Sequence, residues 1–342
     1  MKKVVGALLI FALSTICGVA WADIKPSTTT ATRDIVLVEE EEGEGEKETA
    51  EVAAAVLDVE ELHKNDFSVT LTSDKEDGVY GIGDNIVLTF KSEADAYLTV
   101  LDFTSSGQIL VLFPNKWVEN NRVKAGEEVK IPAEGQKFAM KAGGPVGVDV
   151  VKAIATNNDV PVVDPENREL AGPFAVLKDA KNATRDILLV EDEEPEPEPG
   201  GETPSDPLRW SVASLAVMTR DPEKADAPTG FGVAVNGDWT AKAWTNGTDF
   251  LTGDLVFVKF ISDKPAKLVS LVNLGASENE NNLLPEGTDV SIEAGEILVL
   301  PRKDDKWKLV AASKTGKDVI KAKLAAEDGT ELELSFAVTV DE

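Results

Sequence analysis

The sequence is poor in the residues on which most catalytic chemistry depends. Its 342 residues include one cysteine, Cys17, and one histidine, His63. A Ser-His or Cys-His nucleophile system therefore has no base except His63. That residue stands beside Lys64 at the end of an expected helix and reads as a solvated side chain. No cluster of His and Cys offers a zinc or iron site. Long apolar runs are also scarce. The run from Val4 to Cys17 falls short of the ~20 residues that a spanning helix needs, and no later segment is long enough. Positive charge is in deficit, with 34 Lys and Arg against 62 Asp and Glu and a net charge of −28. Such a chain repels nucleic acid and anionic lipid headgroups, so neither is expected as a partner.

What the N-terminus does contain reads as a secretory signal peptide. Lys2 and Lys3 precede the apolar run, and Ala20-Trp21-Ala22 fits the small-x-small rule for cleavage after Ala22. Cleavage would remove the two lysines and Cys17, taking the formal charge from −28 to −30. The mature chain is then expected outside the cytoplasm, periplasmic or secreted, with no membrane span, no disulfide and no cofactor.

The rest divides by composition. Residues 23–65 hold a Thr-rich start, the apolar run Ile35 to Val38, an acidic stretch from Glu39 to Glu48, and one short helix expected over Ala50 to His63, with Val52, Val56, Val59 and Leu62 at helical spacing. From Asp66 the pattern becomes short β-forming runs, at Ile86–Phe90, Tyr97–Phe103, Ile109–Phe113 and Val148–Ile154, separated by Gly-containing turns. A first β domain is thus expected over residues 66–190. The Glu/Pro-rich stretch Glu191–Pro207 reads as an extended spacer. A second, diverged β domain is expected over residues 208–342. The predicted fold is all-β: two antiparallel β-sandwich-like domains, folding independently, on acidic linkers.

The two β regions repeat one another. Gly83-Asp84 matches Gly253-Asp254, Ala96 and Leu98 match Ala266 and Leu268, Ala125-Gly126-Glu127 matches Ala294-Gly295-Glu296, and Ile131-Pro132 matches Leu300-Pro301. Gly147-x-Asp149-Val150-Val151-Lys152-Ala153 matches Gly316-x-Asp318-Val319-Ile320-Lys321-Ala322. An ordered series at a nearly constant offset of 169 to 171 implies a duplicated domain. In the second copy Arg220 to Leu251 reads as an insertion. A smaller repeat lies outside the domains: Ala31–Glu39 recurs as Ala183–Glu191. The later copy is placed to close the first domain's edge. The earlier copy, with Ile35, Val36, Leu37 and Val38, reads as a strand that docks on a β edge, in its own molecule or in another.

Gly83-Asp84, the Ala96-Tyr97-Leu98 strand, Leu112-Phe113-Pro114-Asn115, Ala125-Gly126 and Val151-Lys152-Ala153 resemble the bacterial domain of unknown function 4384 over about residues 66–156. The resemblance implies a β-rich extracytoplasmic accessory module without assigned catalytic residues. The second copy departs from it, since Leu284-Pro285-Glu286 replaces Phe113-Pro114-Asn115.

Candidate binding residues are few. Trp117, Trp239 and Trp244 fall in loop-like contexts, where aromatic rings stack on sugars, anchor a protein partner, or cap a sandwich. Asp74, Glu76 and Asp77, or Asp304 and Asp305, offer oxygen ligands, but no twelve-residue calcium loop contains them, and no metal is assigned. The expected function is that of a non-enzymatic envelope accessory protein acting through protein–protein interaction or assembly. The alternative is a carbohydrate- or cell-wall-binding module using exposed Trp side chains. Expected partners are an envelope protein or a glycan, with self-association by strand addition as a further route.

Overall fold

The computed structural model describes residues 35–39, 63–163, 168–171, 174–177, 207–224, 227–275, 280–312 and 316–341. The signal peptide and its cleavage site, the helix expected before His63, the bodies of both acidic linkers and the Ala183–Glu191 copy lie outside these residues. Apart from one 3-10 turn at Pro222–Lys224, every regular element among the described residues is a strand.

After β1 (Ile35–Glu39), the first domain comprises β2 (Val69–Ser73), β3 (Val79–Gly81), β4 (Asn85–Ile86), β5 (Leu88–Ser92), β6 (Ala96–Phe103), β7 (Ile109–Phe113), β8 (Arg122–Val123), β9 (Glu128–Ile131), β10 (Met140–Lys141), β11 (Gly147–Thr156), β12 (Arg168–Ala171), β13 (Phe174–Leu177) and β14 (Trp210–Arg220). One sheet runs β12-β13-β7-β6-β11-β14-β3, with β8 pairing β6. The other runs β2-β5-β9, and β10 pairs β4 beside it. Between the sheets Leu88, Phe90, Leu98, Val100, Leu112 and Val151 form part of one buried core.

The second domain follows with β15 (Phe231–Asn236), β16 (Trp239–Thr245), β17 (Asp249–Leu251), β18 (Val258–Ser262), β19 (Ala266–Leu274), β20 (Glu280–Asn282), β21 (Ser291–Ile292), β22 (Ile297–Leu300), β23 (Trp307–Ala311), β24 (Gly316–Ala325) and β25 (Glu331–Asp341). Its sheets run β15-β16-β18-β22 and β17-β25-β24-β19-β20, with β21 pairing β19.

Strand pairing reproduces the duplication seen in the sequence. In the first domain β14 pairs antiparallel with β11 and parallel with β3; in the second β25 pairs antiparallel with β24 and parallel with β17. Local hydrogen bonds repeat as well. Asp84 Oδ2 accepts from Gly81 N at 3.0 Å, as Asp254 Oδ2 accepts from Leu251 N at 2.8 Å. Each of these turns needs a glycine, Gly83 or Gly253, at φ 94° or 97°. Ser92 and Ser262 close the next turn alike, each hydroxyl donating to the carbonyl two residues on.

Three sequence expectations are corrected here. Trp210–Arg220 lies past the Glu/Pro spacer, yet as β14 it belongs to the first domain's sheet. It takes the place that β25 takes in the second domain, where a tight turn replaces everything from Asn157 to Arg209. The Arg220–Leu251 segment is not wholly an insertion either. β16 pairs β18 in the register in which β2 pairs β5, so only β15 and its approach are added. Lastly, the two sandwiches are not separate bodies. Leu101, Val111, Ile154, Val212 and Met218 of the first share one buried core with Phe231, Trp244, Ile261, Ile297 and Val299 of the second.

The four larger sheets therefore stack as layers, and the two middle ones are covered on both faces. Burial patterns follow from that. β18 and β22 are buried at every residue, whereas β24 and β25, at an outer face, alternate buried positions with partly or fully exposed ones. Lys242 of β16 lies within this contact, where its Nζ donates to the Ala216 carbonyl at 3.2 Å. Burial brings its pKa down to about 8, against the opposing pull of Asp77.

Candidate carboxylate pocket of the first domain

β6 and β11 are neighbours, with Asp102 opposite Val151. Asp149 lies two residues before Val151, so it emerges on the same face, on the diagonal from Asp102. Leu98, Val100 and Val151 on that face point into the first domain's core. Both carboxylates thus project into the mouth of the sandwich, where a pocket of about 220 Å³ opens. Its apolar wall includes Ile86, Leu88, Leu110, Leu112 and Met140; Thr104, Ser105 and Lys141 stand at its rim.

The turn after β6 holds Asp149. Thr104 N donates to the Gln108 carbonyl at 2.9 Å, which presents the Ser105 amide to Asp149 Oδ1 at 2.6 Å. Gly147 makes room for this turn, since a Cβ there would meet the Ser105 Cβ at 2.5 Å. Asp102 has no comparable support. Its Oδ1 is buried and has no hydrogen-bond partner among the described residues. Burial, followed by the charge of Asp149, raises the Asp102 pKa well above the usual carboxylate range. Burial raises that of Asp149 as well, while the Ser105 hydrogen bonds oppose the shift.

The second domain shows the same two positions in another state. Asn273 lies opposite Ile320 on β24, as Asp102 lies opposite Val151, and Asp318 is the counterpart of Asp149. Asn273 Nδ2 donates to Asp318 Oδ2 at 3.0 Å, and both residues are buried. β1 is paired antiparallel with β23 beside this site, from Ile35 opposite Ala311 to Glu39 opposite Trp307. In the first domain β10 is the counterpart of β23: Met140 and Lys141 pair with β4 as Val310 bridges Leu255. Among the described residues no strand pairs the other edge of β10.

Of the residues singled out from the sequence, Ile35, Val36, Leu37 and Val38 form that added strand on the second domain. Trp239 and Trp244 are corrected as surface binding residues: they are 1% and 2% exposed. The reason is their position on β16, a middle-layer strand buried on both faces, and Trp239 Nε1 spends its donor on Ser262 Oγ at 2.8 Å. Trp117 is 45% exposed and stacks on Phe138, with ring centroids 4.9 Å apart. His63 is half-buried, not solvated, with Nδ1 buried and unpartnered among the described residues. Burial lowers its pKa, against the charge of Glu296. Asp74 Oδ1 accepts from the Tyr80 hydroxyl and Val87 N, and Asp305 Oδ2 accepts from Arg302 N, so these carboxylates close turns.

Asp102 was missed because of a bulge. Between Leu268 and Ser270 the β19 register slips by one residue. A constant offset then sets Asp102 against Val272 and hides its pairing with Asn273. The signal within reach was the Asp149–Asp318 match.

Comparisons with known proteins show a likeness over part of the first domain. No curated protein matches the chain. Among solved structures, the chain is similar to a point mutant of Salmonella alpha-2-macroglobulin, at 12% identity and a TM-score of 0.21, covering 82% of this chain and 17% of that one. It is also similar to trypsin-activated alpha-2-macroglobulin from Escherichia coli, at 13% identity and a TM-score of 0.19, covering 80% of this chain and 24% of that one. These likenesses carry no argument about fold or function. Residues 79–159, from β3 past the end of β11 and including Asp102 and Asp149, match the domain of unknown function DUF4384.

Proposed function

We propose that this chain is a non-catalytic, exported accessory protein of the bacterial envelope that works by protein–protein interaction through the open side of its first domain. The supporting observation is the contrast between equivalent edges. β23 carries an added strand, while β10, with a pocket beside it, carries none among the described residues. An unpaired edge presents backbone donors and acceptors to any extended segment that reaches it.

Site-specific photo-crosslinking in cells tests this reading. Gly143 follows β10, is exposed, and has open space where a side chain would start. A photoreactive residue there should give a discrete protein adduct, and one at exposed Glu327, in the β24–β25 turn, should give none. Equal labelling from both positions, or none from Gly143, contradicts the reading; retention of the chain in the cytoplasm contradicts its export.

A second reading, carbohydrate binding, is favoured by the Trp117–Phe138 stack, which sets an exposed ring on a rigid support. Glycan binding lost on Trp117→Ala would support it.

A further inference from the structure

We infer that the first-domain pocket is a binding site for a guanidinium group, an arginine side chain held between Asp102 and Asp149 and presented by an extended segment of a partner protein along β10. The inference rests on the interaction reading above and names the chemistry that the partner must bring.

Three observations converge on a cation. The first is the carboxylate of Asp102, a residue that lines the pocket and whose Oδ1 is buried and without a partner among the described residues. A buried acceptor left unmade is costly, and a donor arriving with a ligand removes that cost. The second is the diagonal placement of two carboxylates on one sheet face, of which only Asp149 is steadied, by the Ser105 amide. The third is the second domain, which serves as an internal control. There the amide of Asn273 supplies the donor that Asp318 accepts, in a buried site beside a docked strand. The first domain has a carboxylate where that amide would be, so the donor must come from elsewhere. Lys141 at the rim is exposed and is the one basic residue among the described residues that line the pocket, and it makes no ion pair with either carboxylate among the described residues.

The class of cation follows from the walls. A calcium ion takes six to eight oxygen ligands, and no group of three or more His, Cys, Asp or Glu residues is poised for any metal among the described residues. The apolar wall of Ile86, Leu110, Leu112 and Met140 instead suits the alkyl stem of a long basic side chain. A planar guanidinium presents five donors in a fixed fork and can bond two carboxylates at once, which an ammonium does less well. β23 shows how the segment would arrive: this edge of the fold accepts an antiparallel strand.

Calorimetry on the full mature chain tests the proposal with a blocked pentapeptide of sequence Val-Thr-Arg-Thr-Val and its citrulline analogue. The arginine peptide should bind, and the citrulline peptide should bind about tenfold more weakly or worse. Asp102→Asn and Asp149→Asn should each remove that preference, with circular dichroism unchanged. Lys141→Gln should tighten binding or leave it as it is.

Equal binding of the two peptides would overturn the arginine site while leaving an interaction edge intact. So would calcium binding that Asp102→Asn abolishes. Tighter peptide binding on deletion of Ala183–Glu191 would show that the chain fills the groove itself and would overturn an external partner. If the Gly143 crosslink survives Asp102→Asn unchanged, the ligand class fails and the interaction reading stands; if Gly143 never crosslinks, the reading itself fails.

Discussion

The first and second domains share strand order, register and turn hydrogen bonds, yet they treat one pair of positions in opposite ways. In the second, Asn273 Nδ2 donates to Asp318 inside a buried site, with Asn273 Oδ1 left without a partner among the described residues; in the first, Asp102 and Asp149 repel each other at the mouth of an open one. One carboxamide in place of one carboxylate separates the two states. An Asn–Asp pair is a neutral donor on an anion and can be buried. An Asp–Asp pair in the same place must hold a proton or a cation, or pay in stability. The duplicate that keeps the costly version also has an adjacent edge that is unpaired among the described residues, which is the arrangement expected of a site that waits for a ligand.

The comparison is broken most violently by separating the domains it compares. Trp244 lies in the core that they share, and Trp244→Ala should cost about 3–5 kcal/mol. Calorimetric unfolding of wild type should show one transition, with both domains lost together in the variant; two independent transitions would show that the shared core does not couple them.

Next in size is conversion of the closed site to the open one. Asn273→Asp buries a second carboxylate against Asp318 and should destabilise by about 3 kcal/mol at neutral pH, measured by denaturant unfolding.

The reverse change, Asp102→Asn, should stabilise by about 1–3 kcal/mol at pH 7. Its pH dependence has a definite sign. The folded-state pKa of Asp102 is raised above 3.8, so ionisation favours the unfolded chain. Stability from this group is fully present below about pH 3.8 and is lost as pH rises through the folded-state value. The advantage of the variant should therefore shrink on acidification and vanish below that pH. An advantage that persists in acid would mean that Asp102 is not held in the state described.

The smallest effect is expected at the one exposed member of the tryptophan set. Trp117→Ala removes a stacked pair at the surface and should cost about 0.5–1.5 kcal/mol, well short of Trp244→Ala.

Much of the fold was legible because its strands are written in β-branched and aromatic residues. Tyr97–Phe103 and Ile109–Phe113 could be read directly, and the Gly147–Ala153 motif announced its duplicate at Gly316. β14 was misplaced because periodicity says that a segment is a strand, not which sheet receives it. Its partner β11 lies on the far side of the Glu/Pro spacer. Trp239 and Trp244 were read as loop residues because β16 has no polar face to alternate with. A strand buried on both sides loses the period of two, and buried Lys242 makes it look exposed. The carboxylate pocket was out of reach for a similar reason. Asp102 and Asp149 meet only through register, and a single bulged residue on β19 displaces the comparison that would have revealed them.

The most direct test of the account is a carbon-13 NMR titration of the Asp102 and Asp149 carboxyl groups, each assigned through its Asp→Asn variant, with and without the arginine peptide. The account predicts that in the free protein both titrate above the ordinary 3.8, as a coupled pair. Bound guanidinium should bring both down. If both titrate near 3.8 in the free protein and ignore the peptide, the pair is a solvated surface feature, and the pocket of the first domain is not a site.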